Sequence, residues 1–128
     1  MGHRKTVLLV GWNPDVVDYS KWPGLTPEKL HAALEGDRAK LEAEGYDAQL
    51  GLIDSAETAA ASFKALLIEK ERDCVLIGAG VRTVPDYLHL FEVLVNTFHE
   101  YAPKARLCFN SGPFDSVAAV QRWVKPNT

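Results

Sequence analysis

The chain is poor in cysteine and methionine, has no surplus of basic residues, and contains no long apolar run. Its 128 residues include two cysteines and one methionine. Cys74 and Cys108 both fall inside predicted strands, so they read as small buried hydrophobes in a reducing cytoplasm rather than as a disulfide framework. No apolar stretch approaches the ~20 residues that span a bilayer, and no membrane partner is expected. Fourteen Lys and Arg against seventeen Asp and Glu give a net charge of -3. That balance lacks the basic footprint of a nucleic-acid binder. Repeats, linkers and low-complexity segments are also missing, which leaves one compact unit, residues 1–128, as the domain organisation.

Two signals near the start of the chain are imitated without being made. Val7 to Val10 follow a basic stretch, but the run is too short for a signal peptide and lacks a small-residue cleavage site. Gly2 with Thr6 fits the loose myristoylation pattern. The first strand begins almost at once and leaves no arm to present a lipid, so the match reads as chance.

What is present is an alternation of strands and helices. Hydrophobic residues make up 47% and charged residues 24%, the proportions of an ordinary globular domain. The spacing predicts strands over 6–12, 46–53, 73–78 and 105–110. Thr26 caps a helix with Pro27 in its first position and Gly45 past its end. Leu30, Ala33, Leu34 and Leu41 form the inner stripe of that helix. A second helix opens at Asp54-Ser55-Ala56-Glu57. A third runs from Val84 to Tyr101, with Thr83 and Asp86 at capping-box spacing. The last covers about 115–124.

Strands joined by helices imply a parallel sheet with right-handed crossovers. The expected fold is an α/β three-layer sandwich, a four-stranded parallel sheet of order 2-1-3-4 with helices on both faces, flavodoxin-like or Rossmann-like. In that order a crevice opens beside the carboxyl ends of the first and third strands, where open sheets bind ligands. Gly11-Trp12-Asn13, Gly78-Ala79-Gly80-Val81-Arg82 and Asn110-Ser111-Gly112 should meet there. The richest of these is the segment from Cys74 to Thr83, an apolar strand ending in two glycines and an arginine. It predicts a loop of free backbone amides suited to a small anionic or phosphorylated molecule. Gly11, Asn13, Gly78, Gly80, Arg82, Thr83, Asn110 and Ser111 are the candidate ligand-binding residues, with Arg82 supplying charge.

Several chemistries lack their residues. Gly78-x-Gly80-x-x-Thr83 is an incomplete dinucleotide fingerprint, without its third glycine or its distal acid, so no cofactor is assigned. The loop after the first strand has no cysteine, which excludes a phosphocarrier cysteine. That strand also ends without the carboxylates of a receiver domain. Asp15, Asp18 and Tyr19, in the long loop 13–26, are the candidates for a general acid or base, and that loop reads as a lid or ligand-selecting flap. Ser111 has no evident base. Whether the chain is an enzyme is left open.

His89, Glu92, Asn96 and His99 share one face of the third predicted helix. That spacing could gather a metal, but it more simply marks a solvated stripe, and no metal is expected. Apolar residues of the helix span roughly 220° of its wheel at 100° per residue. Either a second copy of the chain forms a homodimer through this helix, or neighbouring helices flank it closely.

The stretches Val7-Leu8-Leu9-Val10-Gly11, Pro23-Gly24-Leu25-Thr26-Pro27-Glu28-Lys29 and Ile77-Gly78-Ala79-Gly80-Val81-Arg82 resemble a family of small bacterial Rossmann-like or flavodoxin-like proteins without an established activity. Leu90-Phe91-Glu92, Asn96, His99, Ala102-Pro103, Phe109-Asn110 and Arg122-Trp123 extend the resemblance over nearly the full chain. It implies a bacterial cytoplasmic protein of this fold and carries no activity with it.

Overall fold

The computed structural model describes residues 4–112 and 114–126. Gly2, on which the myristoylation pattern turns, lies outside them. Four parallel strands, β1 (Lys5–Trp12), β2 (Tyr46–Ile53), β3 (Cys74–Ile77) and β4 (Arg106–Phe109), form one sheet of order β2-β1-β3-β4. Val10 pairs with Gly51 on one side and with Ile77 on the other. The expected α/β fold and strand order are therefore observed. No described helix is long and apolar enough to cross a membrane.

Helices α2 (Ala56–Glu69) and α4 (Leu88–Tyr101) cover one face; α1 (Pro27–Ala43) and α5 (Ser116–Gln121) cover the other. Strand alternation divides the core accordingly. Leu8, Val10, Val75 and Ile77 meet Phe63, Leu67, Leu90 and Leu94. Val7, Leu9, Cys74 and Leu76 meet Leu41, Tyr46, Ala119 and Val120. Cys74 and Cys108 are buried free thiols with sulfurs 3.4 Å apart. The hydrogen bond with Cys108, burial and the charge of Asp73 all push the Cys74 thiol up, so it is a packing group rather than a thiolate nucleophile.

The termini of α1 and α2 form as their residues dictate. Thr26 Oγ1 accepts from the Lys29 amide, and Ser55 Oγ accepts from the Thr58 amide. Gly45 closes α1 with φ +99°, a region open to glycine at no steric cost. Gly51 has a different task. A β-carbon there would lie 3.0 Å from Leu66 Cδ1 and 3.1 Å from Leu8 Cδ1, so its bareness lets α2 lie close on the sheet. Gly51→Val is expected to lower stability by about 1–3 kcal/mol in urea denaturation, the usual cost of overpacking.

One capping expectation is overturned. The segment after β3 folds first into a short helix, α3 (Ala79–Arg82), and then into a 3-10 turn, Pro85–Tyr87, before α4 begins at Leu88. Pro85 disfavours helical backbone at the preceding residue, and Val84 is extended (φ -93°, ψ 118°). Thr83 thus ends α3, its hydroxyl donating to the Ala79 carbonyl, instead of capping α4. Asp86 is drawn to Lys21, 2.9 Å away.

Candidate functional site

The three turns expected to converge do so. Trp12 at the end of β1, Gly78–Gly80 after β3 and Asn110–Gly112 after β4 border a single cleft of about 940 Å³. The cleft lies between the sheet and α1, and its origin is local. On this face the strands end in Gly11 and Gly78, which offer no side chain, and α1 presents Ala33 opposite. Among the described residues nothing stands within 4 Å of where a Gly11 β-carbon would be. Deeper along the same face, Leu41, Tyr46 and Cys108 fill the corresponding space.

The walls are apolar. Leu9, Leu50, Leu52 and Leu76 come from the sheet, Leu30 and Leu34 from α1, and Val17, Trp22, Pro23 and Leu25 from the loop above. Phe114, 81% exposed, stands at the rim beneath Lys40. That loop is an ordered strap. Asn13 Oδ1 accepts from the Asp15 amide, and Asp18 Oδ1 accepts from the Ser20 amide and hydroxyl, which holds its carboxyl below the usual range. Tyr19 donates to the Pro14 carbonyl at 2.6 Å. Lys21 fastens the strap to Asp86 and lies 6.0 Å from the Tyr87 ring centre.

The candidate residues divide. Gly11, Gly78, Gly80, Thr83, Asn110 and Ser111 line the cleft. Asn13 and Arg82 do not. Asn13 Nδ2 donates to Asp54 Oδ1 at 2.9 Å, which turns its side chain toward the start of α2. Arg82 donates to the Asn110 carbonyl, and its guanidinium lies 5.4 Å from the Phe109 ring centre. Its work here is to brace the β4 turn. The loop amides are also largely engaged: Gly78 to the Val10 carbonyl, Ala79 to Asn110 Oδ1, Val81 and Arg82 to the Gly78 carbonyl, Thr83 to the Ala79 carbonyl. Within that run, the Gly80 amide is left. Ser111 donates to Asp115 at 2.7 Å, and that bond holds the Asp115 carboxyl low. Asp15, bonded to His31, and Asp18 and Tyr19 all lie outside the cleft lining.

Two polar groups unnoticed in the sequence do line it. Asp37 of α1 is 4% exposed, and Trp12 carries an indole nitrogen, Nε1, that is buried without a hydrogen-bond partner among the described residues. Asp37 ends a buried chain of hydrogen bonds. The Ala79 amide donates to Asn110 Oδ1, Asn110 Nδ2 donates to Ser116 Oγ at 2.8 Å, and Ser116 donates to Asp37 Oδ2. Among the described residues Asp37 Oδ1 has no partner. Burial pushes this carboxyl above the ordinary aspartate range and Asp115 adds to that, while Ser116 and Lys40 pull it back. A signal existed: Asp37 falls on the stripe of Leu30, Leu34 and Leu41, at i+3 from one leucine and i-4 from the next.

The stripe on α4 is shallow by comparison. His89, Glu92 and Asn96 border an open groove of about 390 Å³ with Glu100. Among the described residues no three of His, Cys, Asp and Glu come together to hold a metal. The broad apolar arc of α4 is met largely within the chain. Leu90, Leu94 and Phe98 are buried, Phe91 packs edge-on to Phe109, Tyr87 meets Trp12, and Tyr101 lies under Lys64. Leu88 stays 61% exposed.

Fold and cleft together define a small parallel α/β domain with a ligand-sized space at the carboxyl edge of its sheet. Neither protein-family models nor curated proteins give a match to this chain.

Proposed function

We propose that this domain binds a small molecule with a substantial apolar body, held between the sheet and α1 beneath the strap 13–26. The observation that carries the reading is the cleft itself: about 940 Å³, walled by leucines, at the edge where three strand-end turns meet. Ligand sites are concave and mostly apolar, with a few convergent polar groups, and this one has that composition. A phosphate as the main determinant fits less well. The guanidinium expected to meet it is engaged with Asn110, and most of the loop amides already have acceptors. The rim lysines are engaged as well, Lys21 with Asp86 and Lys29 with the Gly24 carbonyl.

Calorimetry with eight-carbon amphiphiles and, separately, with inorganic phosphate and nucleotides tests this. Binding by the amphiphiles and none by phosphate is expected; the reverse would overturn the reading. Gly11→Leu is expected to abolish binding while leaving the fold intact. Its side chain enters open space on the cleft side of β1, and the backbone there needs no positive φ.

A further inference from the structure

We propose that the ligand's apolar body carries a hydrogen-bond donor, an alcohol or an amine, and that the carboxyl group of Asp37 receives it. The inference rests on the cleft being the binding site. It goes further by naming the group that selects among ligands.

The argument follows the hydrogen atoms. A backbone amide only donates, so the Ala79 amide fixes the Asn110 side chain with its oxygen toward the β3 turn. The Asn110 amino group must then face Ser116, whose oxygen accepts from it at 2.8 Å. Ser116 has one proton, and with its oxygen occupied by Asn110 it gives that proton to Asp37 Oδ2. Every donor in the chain points toward Asp37. Oδ2 is thereby satisfied by the protein, and Oδ1 is left with lone pairs and no donor.

A polar atom buried to this degree without a partner costs the fold free energy, and a carboxylate costs more than a neutral group. Asp37 is 4% exposed and is one of the residues that line the cleft, so a small movement of its side chain or of the lining brings Oδ1 to a ligand there. Most of the cleft wall is apolar, with Thr83, Asn110, Ser111 and the rim lysines as its other polar groups, so a donor on the ligand finds one unpaired carboxyl oxygen in a largely apolar surround. Such an arrangement discriminates well, because a ligand without the donor leaves the acceptor unpaired. Alcohols and amines share that donor. Octanoate, with a charge of the same sign as the carboxylate, does not belong to the class, and neither does a ketone, which only accepts.

The probes are 1-octanol, octylamine, 2-octanone and octanoate, titrated calorimetrically into the wild-type chain and into Asp37→Asn. In the wild type, octanol and octylamine are expected to bind at least about tenfold more tightly than the ketone and octanoate. The tighter of the two identifies the head group. In Asp37→Asn the side-chain oxygen still accepts from Ser116 and the amino group takes the place of Oδ1. Octylamine is expected to lose about tenfold or more, and 2-octanone to gain. Equal binding of all four probes by the wild type would overturn the donor inference and leave the cleft reading standing. No binding by any of them would overturn both. The wild-type ranking decides the matter even where the variant folds poorly.

Discussion

Ser116→Ala is expected to lower stability by about 3 kcal/mol at neutral pH, a large effect for the loss of one oxygen atom. Ser116 is fully buried and joins Asn110, at the end of β4, to Asp37 in α1. Removing its hydroxyl strands two groups together: the Asn110 amino group loses its acceptor, and the Asp37 carboxyl loses its one donor. Each buried group left unsatisfied costs about 1–3 kcal/mol, more where charge is involved. The carboxyl, already pushed up by burial, would rise further without Ser116 and take a proton more readily. Adding Asp37→Leu to Ser116→Ala should therefore return part of the loss, because no carboxyl then remains to be satisfied. Urea denaturation of the two single variants and the double variant gives the coupling directly. A Ser116→Ala cost below about 0.5 kcal/mol, or strict additivity with Asp37→Leu, would show that the chain of bonds does not work as a unit.

The same three residues explain how far the sequence could be read. The sheet was legible because its signals are local. The apolar run of β3 and the strand-helix alternation dictate parallel pairing, and Thr26-Pro27 and Ser55 place two helix starts without help from tertiary structure. So was the meeting of the three turns, which follows from strand order alone. What local pattern could not supply was where polar side chains point. Arg82 and Asn13 stand at the right turns, yet each finds a closer partner, the Asn110 carbonyl and Asp54 respectively. Thr83 and Asp86 have capping-box spacing, but the intervening Pro85 holds Val84 extended. Asp37 was missed for the opposite reason. A lone acid in an amphipathic helix is ordinarily on the wet side, and here the group that tolerates its burial, Ser116, lies 79 residues away. The shape of the cleft likewise depends on absent side chains, those of Gly11 and Gly78, which carry no hydrophobic signal.

Asp37→Asn is expected to stabilise the ligand-free chain by about 1–3 kcal/mol near pH 7.5, because a buried carboxylate costs more than the neutral amide that replaces it. The gain is expected to depend on pH in a defined direction. Burial, as the largest influence, raises the Asp37 carboxyl above its ordinary value of 3.8, with Asp115 adding to the rise and Ser116 and Lys40 opposing it. Between 3.8 and the higher folded-state value, the native chain binds more protons than the unfolded chain. Stability contributed by this group is therefore fully present below 3.8 and is lost as pH climbs through the folded-state value. Asparagine does not titrate. The difference in melting temperature between variant and wild type should thus be small in acid, open with rising pH, and level off once the wild-type carboxyl is ionised. A difference that stays flat from acid to neutral pH would mean that Asp37 keeps an ordinary affinity for protons in the fold. If instead stability rises while octylamine binding falls in the same variant, Asp37 trades stability for recognition. Such an exchange is expected of a charged group kept on the wall of a binding cleft, and a purely structural aspartate would not show it.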